Sequence, residues 1–182
     1  MTAPEFFLGP ADEVAPRLLG WRLQSTLGNA VTEIELSEVE AYTQDDPASH
    51  SFAGIRPHNV AMFEAPGILY IYRSYGVHWC ANVVCSPDGL GAGILLRAGR
   101  PVQGVEVMTR RRGRGERLTI GPGNLTQALG ISGEHNGLDL FDPASPVRLL
   151  PGRQPHRYLA TPRIGISKAT DKKWRFVSVQ GF

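Results

Sequence analysis

Residues 68–85 read Ile68-Leu69-Tyr70-Ile71-Tyr72-Arg73-Ser74-Tyr75-Gly76-Val77-His78-Trp79-Cys80-Ala81-Asn82-Val83-Val84-Cys85. Both ends are dense in β-branched and aromatic residues, the side chains that suit a pleated, half-buried surface. Ser74-Tyr75-Gly76-Val77 breaks the run, and His78 resumes it. The stretch predicts a β-hairpin with Tyr75-Gly76 at its tip. Side chains alternate across a strand, so Tyr70 and Tyr72 share one face.

Upstream, Val31 to Ala41 interleaves Val31, Ile34, Leu36 and Val39 with Thr32, Glu33, Glu35 and Glu38. This predicts a half-exposed strand with a bulge where the alternation slips. Residues 21–27 predict a second strand, joined to it by the turn Leu27-Gly28-Asn29-Ala30. Pro10 and Gly20 bracket a short helix over 10–19, weakened by Pro16. Residues 42–66, with Asp45-Asp46-Pro47, Gly54 and Arg56-Pro57-His58-Asn59, are too long for a turn and too specific in their polar residues for a linker; loops of this kind carry function.

Downstream, Ile94 to Ala98 predicts a strand and Val102 to Arg111 a helix with Val105 and Met108 on one face. A second helix is expected over 124–129, entered from Gly121-Pro122-Gly123 and stopped at Gly130. Short strands follow at 138–141, 147–150, 157–166 and 174–179. The elements describe an α+β fold over residues 1–182: a single domain with a curved, mainly antiparallel sheet, a protruding hairpin and short flanking helices.

The composition fits a soluble globular chain: 182 residues, 42% hydrophobic and 20% charged. No apolar run approaches the roughly 20 residues of a membrane span, so no membrane association is expected. Met1-Thr2-Ala3-Pro4-Glu5 has neither the basic start nor the apolar stretch of a signal peptide, and a cytoplasmic location is the expectation. Cys80 and Cys85, five apart in an apolar segment, read as buried thiols rather than a disulfide or a zinc site. The net charge of +2 says little about nucleic acid. Arg110, Arg111, Arg112, Arg114 and Arg117 are interrupted by a single acid, Glu116, and form either a solvated loop or a phosphate-binding run.

Several residues are candidates for chemistry. Glu40 closes a strand and opens the long loop, with Tyr42 on its face; such a carboxylate is either a base or a rim charge. Tyr70, Tyr72 and Tyr75 either pack the core or serve nucleic acid, since aromatic side chains can act as wedges between DNA base steps. Asn82 stands in an apolar strand, where its amide needs a structural hydrogen bond or a cavity. Arg97 stands among Ile94-Leu95-Leu96-Arg97-Ala98, where it needs a carboxylate, for which Glu40 is a candidate.

The blocks Val39-Glu40-Ala41-Tyr42, Ala48-Ser49-His50-Ser51, Met62 to Tyr72, Tyr75 to Asn82, Leu95-Leu96-Arg97-Ala98, Gly121 to Leu129 and Thr161 to Ile166 stand in that order. In this they resemble the alkyladenine (3-methyladenine) DNA glycosylase family, from about residue 15 to about 168. Phe52-Ala53-Gly54-Ile55, Arg73-Ser74 and Val77-His78-Trp79 depart from its vertebrate members. The resemblance implies a DNA repair enzyme that flips alkylated or deaminated purine nucleotides out of duplex DNA and hydrolyses the N-glycosidic bond. It implies Glu40 as the base that deprotonates the attacking water, with Arg97 and the main-chain carbonyl near Ile164 also holding that water. It implies Tyr42, Ala48, His50 and Tyr72 as the binding walls for the flipped base, with the His50 backbone N–H on the base edge, Asn82 as the pocket-floor selector against guanine, and Tyr75 as the residue that enters the DNA stack.

The partner expected is double-stranded DNA containing a damaged purine, bound by a monomer, with no cofactor and no metal. The location is then cytoplasmic, at the nucleoid when the enzyme acts. Lys168, Lys172 and Lys173 are the only lysines, and an amine-dependent lyase step is not expected. Two other readings fit parts of the same residues: a non-catalytic nucleic-acid-binding module using the aromatic hairpin, and a small-molecule hydrolase built on Glu40 and His50.

Overall fold

The computed structural model describes residues 5–87 and 89–179; the reading of Met1-Thr2-Ala3-Pro4 lies outside them. In chain order its strands are β1 (Arg22–Ser25), β2 (Thr32–Tyr42), β3 (Leu69–Ser74), β4 (His78–Val84), β5 (Gly93–Gln103), β6 (Val147–Leu150), β7 (Tyr158–Thr161) and β8 (Arg175–Ser178). Its α-helices are α1 (Ala11–Val14), α2 (Val105–Arg112) and α3 (Pro122–Leu129). The fold is α+β, with a curled antiparallel sheet ordered β3-β4-β5-β2-β1-β6; β8 branches from β2 and carries β7.

The centre of the sheet is β2. One edge pairs with β5 along its length. The other edge changes partner, taking β1 at Thr32–Glu35 and β8 at Glu38–Glu40. At the change the alternation slips. Leu36 pairs with Gly99 and Glu38 with Ala98, so Ser37 is the extra residue of a bulge; Glu38 pairs with Ala98 and Val39 with Leu96, so Arg97 is the extra residue opposite. The inward positions of β2 therefore run Ile34 and Leu36 before the slip, Val39 and Ala41 after it, all buried. With Ile71, Ala81, Val83, Ile94 and Leu96 they form the apolar face of the sheet. The slip turns Glu38, Glu40 and Tyr42 to the opposite face.

α3 lies on the apolar face, contributing Leu125, Ala128 and Leu129 to the core. Gly130 ends it in the left-handed conformation, as its place after the last apolar turn predicts. Arg111 ties the periphery together: its guanidinium donates to the carbonyls of Leu27 (2.6 Å) and Ala128 (3.1 Å). Cys80 and Cys85 are free, buried thiols, and burial pushes Cys85 up to about 12.

The hairpin is as predicted. Tyr75 and Gly76 both have positive φ, the mirror-image turn geometry that suits twisted strands, and Val77 N–H donates to the Ser74 carbonyl. Other expectations need correction. The helix over 10–19 is one α-turn, Ala11–Val14, followed by a tighter 3-10 turn, because Pro16 has no N–H to continue the ladder. Residues 102–103 extend β5, and α2 starts only after Gly104, which is left-handed; Val105 is exposed while Met108 is buried. No strand forms at 138–141 beyond the single bridge Ile68↔Asp139. The strand over 157–166 stops at Thr161, and that over 21–27 stops at Ser25. β2 is mostly buried rather than half-exposed, because one face lies on the core and the other is covered where Glu38 and Glu40 meet Arg97, Arg175 and Ile164.

The arginine run divides accordingly, with Arg111 half-buried and Arg114 exposed. Arg111→Gln is expected to lose about 1–3 kcal/mol by removing the charged donor that the Leu27 and Ala128 carbonyls share, while Arg114→Gln stays within about 0.5 kcal/mol. Urea unfolding of the two variants checks this.

Candidate active site

Opposite the apolar core, one row of directly paired residues crosses five strands: Tyr70, Asn82, Leu95, Glu40 and Arg175. Residues opposite one another in an antiparallel sheet point to the same side. Beside this row stand Tyr72, Cys80, Arg97 and Glu38. The sheet thus presents a polar and aromatic face whose centre is the floor of a cavity of about 470 Å³. Ala48 and His50 from the long loop, Ser74 and Tyr75 from the hairpin, Pro122 from α3, and Ile164 to Ile166 complete its walls.

Glu40 is fully buried and lies immediately behind that wall. Its Oε1 accepts the Ile164 backbone N–H at 2.8 Å; its Oε2 accepts the Tyr42 hydroxyl at 2.9 Å and faces Arg97 Nη1 at 3.4 Å. All three donor residues line the cavity. Glu40 is therefore not a rim charge. Burial, with the Glu40 charge adding to it, pushes the Tyr42 phenol far above its ordinary value, so it stays a donor. Arg97 was expected to pair with Glu40, yet its shorter contact is Nε to Glu38 Oε1 at 2.8 Å. Arg175 Nε reaches the same oxygen at 2.7 Å. Burial acts to raise the Glu38 carboxyl, but the hydrogen bonds from Arg175 and Arg97 outweigh it and hold it below its ordinary value.

The aromatic wall is continuous. The His50 and Tyr72 rings meet edge-on at 4.3 Å, and Tyr70 and Tyr72 stack at 5.8 Å. His50 Nδ1 is 3.0 Å from the Tyr70 hydroxyl. Asn82 both lines the floor and makes a structural bond, its Nδ2 donating to the Tyr70 carbonyl at 3.1 Å. The Ala48 N–H donates to Asp46 Oδ1 at 3.1 Å. Tyr75 stands at the hairpin tip, 90% exposed.

The structure brings every predicted site residue to this one cavity, with Glu40 just behind its wall. Ile164 also meets Glu40 directly, through its amide N–H. Three residues were missed: Glu38, Arg175 and Arg163. Arg163 is fully buried, bonded to Asp46 and to the Ala41 carbonyl, with its guanidinium over the Tyr42 and Trp174 rings at 4.5 and 5.3 Å. It pins the start of the long loop beside β2. The only sequence signal for it was its place in the matched block Thr161 to Ile166. Among the described residues no cluster of side chains suited to a metal ion is found.

The methylpurine-DNA glycosylase family model matches residues 5–181. The chain is 46% identical to a protein of Rhodopseudomonas palustris over 94% of its own length and 81% of that relative. It is 46% identical to one of Nitrosospira multiformis over 93% of itself and 86% of the relative. A third, from Mycobacterium tuberculosis, is 46% identical over 96% of the chain and 88% of the relative. All three carry the name "Putative 3-methyladenine DNA glycosylase".

Burial lowers the His50 imidazole from its ordinary value of 6.5, and the charge of His58 acts in the same direction. Its folded value is the lower one, so unfolding takes up a proton between the two values. The stability that His50 contributes is complete above 6.5 and is lost as pH falls toward the folded value. NMR titration of His50 should give a midpoint below 6.5; a midpoint at or above it would contradict the burial.

Proposed function

The chain belongs to the methylpurine-DNA glycosylase family, DNA glycosylases that are hydrolases of N-glycosidic bonds, and from that premise we propose that it removes alkylated and deaminated purines from duplex DNA with a water activated by Glu40. The observation that carries this reading is the fully buried Glu40, held by three donors that all line one aromatic cavity.

A base inside a duplex is out of reach, so its nucleotide is turned out into the pocket at a cost of a few kcal/mol, least for a damaged or mispaired base. Tyr75 offsets part of that cost by entering the stack. Its 90% exposure at a tight turn supports the role, because a large ring held in water without a partner is otherwise unused. Tyr42, His50 and Tyr72 contact the extruded base; stacking of this kind is worth about 1–3 kcal/mol per base. A neutral His50 adds no charge against an alkylated, cationic purine, and the ring faces attract that cation. Ala48 closes the wall, and Asn82, fixed by its bond to the Tyr70 carbonyl and lining the floor, is in this reading the residue that obstructs the exocyclic amino group of guanine.

Bond breaking leaves an oxocarbenium-like sugar. The purine departs with the bonding electron pair, water attacks C1′, and Glu40 takes the proton of that water. Arg97 and Ile164 both bond Glu40 and line the cavity, and in this reading Arg97 and the main-chain carbonyl near Ile164 hold the attacking water beside the carboxylate. The negative charge of Glu40 also favours the sugar cation, in a site shielded from bulk water where such a charge acts strongly. No lysine lines the cavity among the described residues, which favours hydrolysis without a Schiff base. The duplex partner, the monomeric state and a cytoplasmic location belong to the same proposal.

Glu40→Gln is expected to abolish release of 7-methylguanine or 3-methyladenine from single-lesion duplexes; intact release would remove Glu40 from the chemistry. Tyr75→Ala should slow release from duplexes about 10-fold or more, equivalent to about 1.4 kcal/mol, and affect single-stranded substrate less. Equal losses on both substrates would remove Tyr75 from nucleotide flipping.

A further inference from the structure

Glu38 stands two residues before Glu40 on the same face of β2, between the bulges at Ser37 and Arg97. Its Oε1 accepts both Arg97 Nε at 2.8 Å and Arg175 Nε at 2.7 Å. The other end of the Arg97 guanidinium faces Glu40 Oε2 at 3.4 Å. Four charges therefore alternate across three strands: Arg175, Glu38, Arg97, Glu40. Three of them are mostly shielded from water and Glu40 wholly so, with side-chain exposures of 22, 14, 12 and 0% in that order. Glu38 does not line the cavity, and of its two bonding partners only Arg97 does, so its route to the site runs through Arg97. Arg175 is itself anchored, its Nη1 donating to Thr161 Oγ1 on β7 at 3.1 Å.

Resting on the assignment of Glu40 as the base, we infer that Glu38 is a positioning residue, which competes with Glu40 for Arg97 and so sets both the aim of that guanidinium and the basicity of Glu40. Glu38 holds the Nε edge of Arg97 and leaves only the longer Nη1 contact to Glu40. An arginine released from Glu38 can turn both donors onto Glu40, the bidentate geometry that guanidinium and carboxylate favour. That tighter pairing stabilises the charged carboxylate and makes it a weaker base toward water. Loss of Arg175 has the opposite effect: Glu38 then draws Arg97 more strongly, and one positive charge leaves the neighbourhood of Glu40.

The groups bonded to Glu40 are Tyr42 from β2, Arg97 from β5 and the Ile164 N–H from the segment after β7; the other titratable or charged groups around them are Glu38 on β2, Cys80 on β4, Arg175 on β8 and Arg163 over the Tyr42 ring. Of these, Tyr42 and Cys80 are pushed up by burial and remain neutral in the working range. The charge that varies between the variants below is therefore that of Glu38 or Arg175 alone.

The experiment measures kcat and KM against pH for 7-methylguanine release from a single-lesion duplex by the full chain. That base leaves with a formal charge and needs no general acid, so the acid limb reports the base. Glu38→Gln should lower kcat about 10- to 100-fold, the scale of a misplaced catalytic group, with KM changing much less. Its acid limb should move about 0.5–1 unit to lower pH, and that of Arg175→Gln a comparable amount to higher pH. Opposed shifts support the inference, because loss of packing alone does not move the two limbs in opposite directions. Unshifted limbs, or limbs shifted the same way, while Glu40→Gln is inactive, overturn the role of Glu38 and leave Glu40 as the base. Activity in Glu40→Gln overturns both. Circular dichroism melting reports whether each variant folds; should Glu38→Gln not fold, Arg175→Gln decides, an upward shift supporting the inference and an unshifted limb overturning it.

Discussion

A carboxylate with no exposure to water must find donors inside the protein, and in this structure that requirement gathers the site. Glu40 receives Tyr42 from its own strand, Arg97 from β5 and the Ile164 amide from a segment 124 residues away in sequence. Removing one partner from a buried ion pair typically costs about 3–5 kcal/mol. The three segments are thus held in one arrangement by a charge that none of them can leave unpaired. The same groups line the cavity, so what stabilises the carboxylate also faces whatever enters.

The sheet supplies this arrangement through a local irregularity. Two bulged residues, Ser37 on β2 and Arg97 on β5, lie almost opposite one another. Before them the inward positions of β2 are Ile34 and Leu36; after them they are Val39 and Ala41. A strand of eleven residues thereby keeps its apolar side on the core throughout and still turns Glu38, Glu40 and Tyr42 outward at its end. On β5 the same device aims Arg97 across at both glutamates. A regular ladder would have carried one of the two halves of β2 into the wrong face, because a one-residue slip inverts every side chain.

The long loop over 42–66 is fixed from beneath. Arg163 bonds Asp46 and lies under the Tyr42 ring. Asn59 donates to the His50 and Gly54 carbonyls at 2.8 and 3.2 Å, and Ser51 Oγ donates to the Gly91 carbonyl at 2.6 Å. His50 is thereby presented to Tyr70 and Tyr72 by backbone that is already ordered. A preorganised wall of this kind loses less entropy when a planar ligand enters than one assembled on binding.

Much of the architecture was legible in the chain. The hairpin at 68–85, the helix closed by Gly130 and the buried character of both cysteines follow from local rules, because each rests on residues close in sequence: β-propensity, turn chemistry and capping. The slip in alternation near Ser37 was visible too, although its consequence was not. The residues matched by family resemblance meet at one cavity, yet the resemblance assigned no role to Glu38, Arg175 or Arg163. Those three depend on strand register and on chain returns over more than fifty residues, which no window of sequence contains. The sequence by itself determined the strands, the turn and the polar residues left over after the core was assigned. Only the tertiary structure decided that Glu40 is buried behind the wall rather than on a rim, that the Ile164 amide reaches it, and that Arg97 is shared. The physical reason is that burial and pairing of charge are properties of the packed whole, set by which strands lie side by side.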